Sequence, residues 1–465
     1  MSLVKKVLVC ILMVSMLIVG FSACGNGNAN TSDQAASTVS SQGASTAAAG
    51  EKDTAAAKPV TLKFFTNEAV MAEKFQLIND EYKKRNPNVT VDVIQVPNAD
   101  YYTKVDTTIL SGEQLDVCYW NIKFDYVPRA AKGEFVAMDD FLKGEGKTIT
   151  DLYTIDSTVD DGHVYALPGD VKEWVVWMNK NDLDKVGLTV PPLNWTWDDY
   201  REYAKKLTWG EGENKHYGSM FFNWDHFNVL TAYNRLDGNP YFKADGSLNF
   251  DDPAFAESVK LRHDLEMVDK TQIPLSEIIA MELDYRTAFM GGRTSMVVMA
   301  TNTIPQIAQT KDYPHDFVTT FASLPIPKGG REGYTYADNR FYCIGKTTGN
   351  AEEAYKYLRY FTTEGIPMKN VTFTADKSGT VTMEQMVNNM TSANPALFDS
   401  AQLIKVLTNP QLKANIWTNV PEYTSEIVNM YKAEAEKAVM GEITPEQAVK
   451  NALEQGKSVL AKYGK

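Results

Sequence analysis

Cysteine and histidine are scarce in this chain, whose 465 residues include 4 cysteines and 5 histidines. Cys10 and Cys24 stand near the amino terminus, whereas Cys118 and Cys343 each lie inside an apolar, strand-like run. This count excludes a disulfide framework of the kind that holds small secreted domains together. We therefore predict two buried free thiols. The scattered histidines form no H-E-x-x-H zinc motif, and no metal site or cofactor is predicted.

Positive charge and long apolar runs are also in short supply. Lysine and arginine total 46 against 59 aspartates and glutamates, for a net charge of −13. An acidic chain of this kind argues against nucleic acid and anionic lipid surfaces as partners. The one extended apolar run, residues 7–20, is too short to span a bilayer comfortably.

Motifs of common enzymes are missing or incomplete. No G-x-S-x-G is present, and the segment Gly345-Lys346-Thr347-Thr348 lacks the first glycine of a phosphate-binding loop, because Arg340 stands in its place. Three adjacent aspartate pairs, at 139–140, 198–199 and 251–252, cannot face each other across a scissile bond. We interpret them as helix caps and predict that the chain is not an enzyme. A secreted glycosidase or lyase stays as a remote alternative.

The amino terminus has the pattern of an export signal. Lys5 and Lys6 precede the apolar run, and small residues close it before Cys24. The ending Ser22-Ala23-Cys24 resembles the bacterial lipobox, which predicts a signal peptide at 1–23 and a lipid anchor on Cys24. An ordinary signal peptide with an incidental cysteine is the alternative. Residues 24–58 are small and polar, so we expect a disordered tether.

The remaining chain, residues 59–465, is too long for one hydrophobic core and suits two lobes. Its first part alternates strand, helix, strand, helix and strand between residues 61 and 120, which predicts parallel pairing. Ligands of such sheets lie beyond the carboxyl ends of the strands. This geometry makes cleft-edge candidates of Asn67, Glu68, Trp120 and Asn121. Another polar group precedes the apolar run 341–344 and is likewise a cleft-edge candidate: Asp338, Asn339 and Arg340.

Local signals predict several element ends. Thr196 with Asp199 forms a variant capping box, and Thr444, Pro445 and Gln447 begin the last helix. Asp245-Gly246 predicts a hairpin turn.

A series of motifs resembles the family 1 extracellular solute-binding proteins, the maltose-binding-like class, across residues 59–465. The landmarks occur in the family's order: SGEQLDV (111–117), GEFVAMDD (133–140), DGHVYALP (161–168), WMNKNDL (177–183), WTWDD (195–199), AFMGGRTSM (288–296), LPIPKG (324–329) and GEITPEQA (441–448). No single motif is specific. Eight of them in order make the resemblance strong.

The resemblance implies an α/β fold of two lobes, like that of periplasmic binding proteins, with three crossings between them. We expect the crossings near residues 172–175, 322–327 and 378–381. Lobe 1 would then comprise 59–172 and 326–380, and lobe 2 would comprise 173–325 and 381–465. Closure of the hinge around a ligand would present the closed form to a permease.

The resemblance also implies site residues. It aligns Trp120 with a stacking tryptophan of the class and sets Asp170, Glu173 and Trp174 in the first crossing, facing the cleft. In lobe 2 it points to Trp224, Trp417 and Asn302, the last at a position where relatives often carry tryptophan. That departure makes maltodextrin itself a poor candidate ligand. The competing interpretation is that these tryptophans fill the core.

The implied function is that of a carbohydrate receptor for an ABC importer, held as a monomer on the outer face of the cytoplasmic membrane by its lipid anchor. An inward-pointing Arg340 would favour an acidic sugar, a sugar phosphate or another polar solute. An acidic rim of Glu68, Asp170 and Glu173 would favour a neutral oligosaccharide, and we predict a ligand of this neutral class. A chemoreceptor or structural lipoprotein with the same fold is a further alternative.

Overall fold

The structure is a computed structural model that describes residues 58–67, 72–159, 161–379, 381–415, 417 and 419–465. The predicted signal peptide, the tether, Cys24 and Glu68 lie outside the described residues, as does the side chain of Asp338. None of the described helices combines the length and apolar character needed to cross a membrane.

The described strands form one sheet in the order β2-β1-β3-β7-β4-β5, with β6 and β8 beside β4 and β9 beside β7. The strands are β1 Val60–Thr66, β2 Val89–Gln95, β3 Val117–Trp120, β4 Ala166–Asn179, β5 Met296–Ala300, β6 Thr319–Ala322, β7 Tyr334–Ile344, β8 Phe373–Thr374 and β9 Lys413–Asn415. We call the elements around β1, β2 and β3 lobe 1, and the elements around β5 and β6 lobe 2.

Helices cover this sheet and account for most of the regular structure. They are α1 Ala72–Arg85, α2 Tyr101–Ser111, α3 Lys123–Ala131, α4 Asp139–Gly144, α5 Ile149–Leu152, α6 Lys180–Lys185, α7 Trp197–Lys206, α8 Leu230–Arg235, α9 Pro253–His263, α10 Leu275–Ala280, α11 Tyr285–Met290, α12 Ala351–Tyr360, α13 Ile366–Lys369, α14 Met383–Thr391, α15 Ser400–Leu407, α16 Thr424–Val439 and α17 Pro445–Lys462.

The predicted parallel pairing in lobe 1 is confirmed. β1 pairs with β2 along its whole length, from Val60 opposite Val89 to Thr66 opposite Gln95, and β1 also pairs in parallel with β3. Helices α1 and α2 connect these strands, and their apolar faces bury Phe75, Ile78 and Val105. The carboxyl ends of β1 and β3 therefore point toward the same edge of the sheet.

β4 belongs to both lobes. This strand of 14 residues pairs with β7 and β8 through its first half and with β5 and β6 through its second half. Its register shifts between Pro168 and Val171. At Gly169 an added Cβ would come within 2.2 Å of the Tyr342 ring, so a side chain there would require repacking. The strand is thus the first connection between the lobes.

β7 carries the chain back to lobe 1. Before it, Ile326 bridges to Thr196, and Arg331 binds Asn234 through its backbone amide, so both residues still contact lobe 2. Tyr334 then pairs with Lys413 of β9, whereas Tyr342 pairs with strands of lobe 1. The structure therefore sets the second crossing inside β7, later than the 322–327 region expected from the resemblance. Pairing of β7 with β9 holds the intervening segment on lobe 2.

Several local predictions are confirmed. Thr196 and Asp199 form a reciprocal capping box, and the Thr444 side chain accepts from the Gln447 amide ahead of α17. Gly246 adopts φ +82° in the turn between Phe242 and Leu248. The two described cysteines are buried free thiols directly opposite each other on β3 and β7: Cys118 and Cys343.

Candidate functional site

A cavity of about 840 Å³ opens where β4 and β7 join the lobes. Lobe 1 contributes the loop after β3, and lobe 2 contributes α16 and the segments around residues 224–226, 285–286 and 299–306. The lining residues are Ile122, Phe124, Lys172, Trp174, Trp224, Asp225, His226, Tyr285, Arg286, Met299, Ala300, Asn302, Thr303, Gln306, Tyr336, Ser425, Val428, Asn429 and Lys432. The wall combines aromatic rings with polar and charged groups.

The aromatic part of the wall is built around Trp174. Its ring centroid lies 5.6 Å from that of Trp224 at 85° and 5.8 Å from that of Tyr336. Trp224 also lies 5.8 Å from Tyr285. Trp174 is 3% exposed and packs into the core of lobe 2, whereas Trp224 is only half-buried. Trp224 therefore offers ring surface to a ligand, and Trp174 supports it.

His226 is a buried, neutral part of the same wall. Burial lowers the pKa of His226 to about 3, and the charges of Arg262 and Lys432 add to this effect. Its ring stacks on Tyr336 with the centroids 4.8 Å apart. Nε2 of His226 forms no hydrogen bond within the described part of the chain. A neutral imidazole supplies a hydrogen-bonding nitrogen here without adding charge.

Polar groups of lobe 2 complete the wall. Asn302, Thr303 and Gln306 come from the turn-rich segment Thr301–Ala308 that follows β5. The Thr303 hydroxyl donates to the Ala300 carbonyl at 2.6 Å, and the Tyr285 hydroxyl donates to Gln306 at 3.2 Å. Asn302 takes part in neither of these two hydrogen bonds, and it contributes a side-chain amide to the cavity wall.

Three of the predicted site residues line this one cavity: Trp174, Trp224 and Asn302. Trp417 and Asn339 line a smaller adjoining space of about 20 Å³, together with Ile122, Phe124 and Tyr336, which the two cavities share. The Trp417 ring lies 5.2 Å from that of Phe124 and so joins the lobes beside the main cavity. Their role in ligand binding stays a prediction.

Trp120 lies in the core of lobe 1 and does not line the cavity. Its side chain is 0% exposed. The ring stacks on Tyr102 of α2 at 5.2 Å, and the guanidinium of Arg129 from α3 lies 4.2 Å from its centroid. Both helices cover the strand end, so a sugar ring could stack on Trp120 only after they moved. The structure gives this residue a packing role in place of the expected ligand contact.

Two neighbouring candidates at the strand ends are engaged within lobe 1. Asn121 donates to the Tyr102 hydroxyl at 2.9 Å. Asn67 accepts a hydrogen bond from Tyr119. Neither lines the cavity, to which Ile122 before α3 and Phe124 of α3 contribute instead.

The expected acidic rim is not formed at Asp170. This carboxylate is fully buried, pairs with Lys369 at 2.7 Å and accepts a hydrogen bond from Tyr342. Arg340 lies close by, with its guanidinium 4.8 Å from the Tyr119 ring. The prediction of a cleft-edge Asp170 is wrong because Lys369, distant in sequence, neutralises it inside lobe 1. Arg340 likewise does not line the main cavity.

Glu173 does not line the cavity either, since Lys172 and Trp174 occupy the face of β4 that does. Side chains alternate along a strand, so Glu173 points away from that face. Burial raises the pKa of Glu173 to about 7, and its Oε2 has no hydrogen-bond partner among the described residues.

The sequence analysis missed Lys172, Tyr285, Tyr336 and the face of α16. A signal was present for two of these. Lys172 stands two places before Trp174 on a strand, hence on the same face. On α16 the residues Ser425, Asn429 and Lys432 recur at helical spacing and give one polar stripe.

Comparison with known proteins gives one family. The profile of the bacterial extracellular solute-binding proteins matches residues 67–366, more than half of the chain. The sn-glycerol-3-phosphate-binding periplasmic protein of Escherichia coli is 24% identical over 335 residues, which is 68% of this chain and 71% of that protein.

Solved structures share the fold. A sugar transporter from Rhizobium etli in an open conformation superposes with a TM-score of 0.70 at 19% identity, covering 85% of this chain and 98% of the other. An ABC substrate-binding protein from Listeria monocytogenes in complex with cycloalternan gives 0.68 at 20% identity, covering 87% and 99%. These matches confirm the predicted two-lobed α/β fold, and the chain belongs to the bacterial extracellular solute-binding protein family.

Proposed function

We propose that this protein captures a carbohydrate between its two lobes and delivers it to an ABC importer. The observation that carries the proposal is the composition of the cavity wall, in which Trp224 and Tyr285 stand beside Asn302 and Asn429. Sugars present apolar ring faces edged by hydroxyls, so they need aromatic plates with polar groups in the plane. A volume of about 840 Å³ suits a ligand of one to a few rings.

The fold supports capture by closure. Lobe 1 and lobe 2 both contribute to the wall, and β4 and β7 run through the hinge. A ligand that contacts both sides binds the closed form better and shifts the equilibrium toward it. Small-angle scattering should therefore show a smaller radius of gyration at ligand saturation. An unchanged radius with proven binding would mean a rigid, preformed pocket.

No catalytic step is part of the proposal. Two of the adjacent aspartate pairs act at helix starts, where Asp199 completes a capping box and Asp252 accepts from the Ala254 amide. Cleavage of any bound oligosaccharide during prolonged incubation would favour the carbohydrate-active enzyme instead. Loss of uptake on deletion of the gene would separate a transport receptor from a chemoreceptor.

A lipid anchor on Cys24 is the second part of the proposal. Ser22-Ala23-Cys24 and the polar stretch after it support attachment to the outer face of the cytoplasmic membrane, with the body tethered as a monomer. The Cys24→Ser substitution should move the protein from the membrane fraction to the soluble fraction, which membrane fractionation measures. Retention of Cys24→Ser in the membrane would contradict the anchor.

The binding test is a thermal-shift screen against monosaccharides and oligosaccharides, neutral and acidic. A ligand at 100 times its Kd stabilises the folded state by about 2.7 kcal/mol, which shifts the melting temperature measurably. Trp224→Ala should abolish or reduce the shift. Trp209→Ala is the matched control, because Trp209 is also half-buried but stacks on His216 outside the cavity. An equal loss in both variants would point to a general loss of stability.

A further inference from the structure

One cation of the cavity wall has no counter-ion among the residues that the structure describes. Lys172 lies on β4 at the hinge, lines the cavity and is only 6% exposed. Its ammonium forms no hydrogen bond or ion pair within the part of the chain that the structure describes. Lysine side chains this little exposed are almost always paired with an anionic or hydrogen-bonding partner.

The other charges of the wall do not neutralise Lys172. Arg286 is held by both oxygens of Asp284, at 2.7 and 2.8 Å. Lys432, from α16, lies 3.6 Å from Glu436. Among the described lining residues, Asp225 is the single carboxylate, and Lys172, Arg286 and Lys432 are the cations. Arg286 and Lys432 thus have carboxylates of their own, and Lys172 is the cation of the wall that lacks one among the described residues.

We propose that the ligand of this cavity is a saccharide carrying an oxyanion, a carboxylate or a phosphate, which Lys172 binds. The inference rests on the proposed carbohydrate-binding function and narrows its ligand class. A sugar hydroxyl can accept a hydrogen bond from an ammonium, but it leaves the charge uncompensated. An oxyanion supplies both the hydrogen bond and the charge, and such charge-assisted bonds are about twice as strong as neutral ones.

The position of Lys172 gives the oxyanion a role in closure. The lysine stands on the strand that connects the lobes, between the aromatic wall of lobe 2 and the loop after β3 of lobe 1. The ring of the saccharide would stack on Trp224, and its oxyanion would be directed toward the hinge. Discrimination between acidic and neutral sugars then depends on Lys172, whereas stacking on Trp224 contributes equally to the binding of both.

The test is calorimetric titration with pairs of probes, one member of each pair carrying the oxyanion and the other neutral. Galacturonic acid and its trimer are compared with their methyl esters, and glucose 6-phosphate is compared with glucose. We expect the charged member of the carboxylate or the phosphate set to bind roughly 10- to 150-fold more tightly. The set that shows this preference identifies the source of the oxyanion.

Variants assign the preference to Lys172. In Lys172→Met, which keeps the length and removes the charge, the ratio of the two affinities should fall to about one while the neutral probe binds nearly as before. Lys172→Arg should keep the preference, and this variant serves if Lys172→Met fails to fold. Lys413→Met, an exposed lysine of the same sheet outside the cavity, should leave the ratio unchanged.

The outcomes separate the two proposals. If neutral probes bind as tightly as charged ones, with an affinity that depends on Trp224, the oxyanion proposal is refuted. The proposed carbohydrate-binding function is then still supported. A preference for charge that survives in Lys172→Met also overturns the assignment to this residue. Absence of binding to every saccharide, charged or neutral, overturns both proposals.

Discussion

Trp120 and Trp224 show how two similar residues acquire different roles. Each has aromatic residues just before it and a polar residue directly after it, Asn121 or Asp225. Trp120 ends β3 and is covered by α2 and α3, through Tyr102 and Arg129. Trp224 lies in an irregular segment of lobe 2, contacts Trp174 and Phe222 edge-on and is only half-buried, so part of its ring stays accessible. The difference lies in what covers each ring, and the elements that cover Trp120 come from two separate helices.

Trp120→Ala should give the largest effect in this comparison. Removing a fully buried indole leaves a cavity between α2 and α3, and the free energy of unfolding should fall by about 3–5 kcal/mol. Urea unfolding measures this loss. Ligand affinity of the folded fraction should stay near that of the wild type, and a stable Trp120→Ala protein with lost binding would restore the ligand-contact role.

Lys369→Met should be nearly as costly. The change leaves the Asp170 carboxylate buried inside lobe 1 without its cation, for which about 3–5 kcal/mol of stability is expected to be lost. The double variant Lys369→Met with Asp170→Asn removes both charges and should recover part of the loss in urea unfolding. No recovery in the double variant would mean that Lys369 acts mainly through other contacts.

Trp224→Ala tests the other side of the comparison. Losing a partly exposed stacking ring should weaken saccharide binding by about 1–3 kcal/mol, roughly 5- to 150-fold in Kd. The melting temperature should change less than in Trp120→Ala, because the Trp224 ring is only half-buried. Calorimetric titration with the best saccharide of the screen gives the affinity. Unchanged binding in a folded protein would remove Trp224 from the site.

Glu173→Gln should give the smallest effect, and one that depends on pH. In the unfolded chain this carboxyl ionises near its ordinary pKa of 4.5, whereas burial raises the pKa of Glu173 in the folded protein to about 7. Stability of the wild type should therefore decline as the pH rises from about 4.5 to about 7, by roughly 1–3 kcal/mol at most. Glu173→Gln should remove this decline.

Urea unfolding at about pH 5 and about pH 8 measures the effect. The exposed Glu442 provides the control Glu442→Gln, which should keep the decline of the wild type. A decline of equal size in Glu173→Gln would show that another group is responsible.

The parts of the fold that were predictable depend on local patterns. The alternation of strands and helices predicted the parallel β1, β2 and β3, and capping residues predicted the start of α17. The motif series predicted two lobes, which the structural matches confirm. The second crossing was misplaced because the pairing of β7 with β9 joins residues far apart in the chain.

Among the site residues, Trp174, Trp224 and Asn302 were predicted and share one cavity, whereas Lys172 and Lys432 were missed. A lysine in a sequence predicts a solvated side chain, since most lysines are exposed. Its burial at the hinge depends on β4, β7 and α16 meeting around it.

The sequence by itself determined the α/β alternation and the helix starts, and it named candidate aromatic and polar side chains, because each depends on neighbours within a few positions. The tertiary structure alone decided which of these side chains face the cavity. Trp120 is covered by α2 and α3, Asp170 is neutralised by Lys369, and Lys172 has no counter-ion among the described residues. Burial and charge pairing are set by contacts between segments distant in sequence, and these contacts form only when the chain has folded.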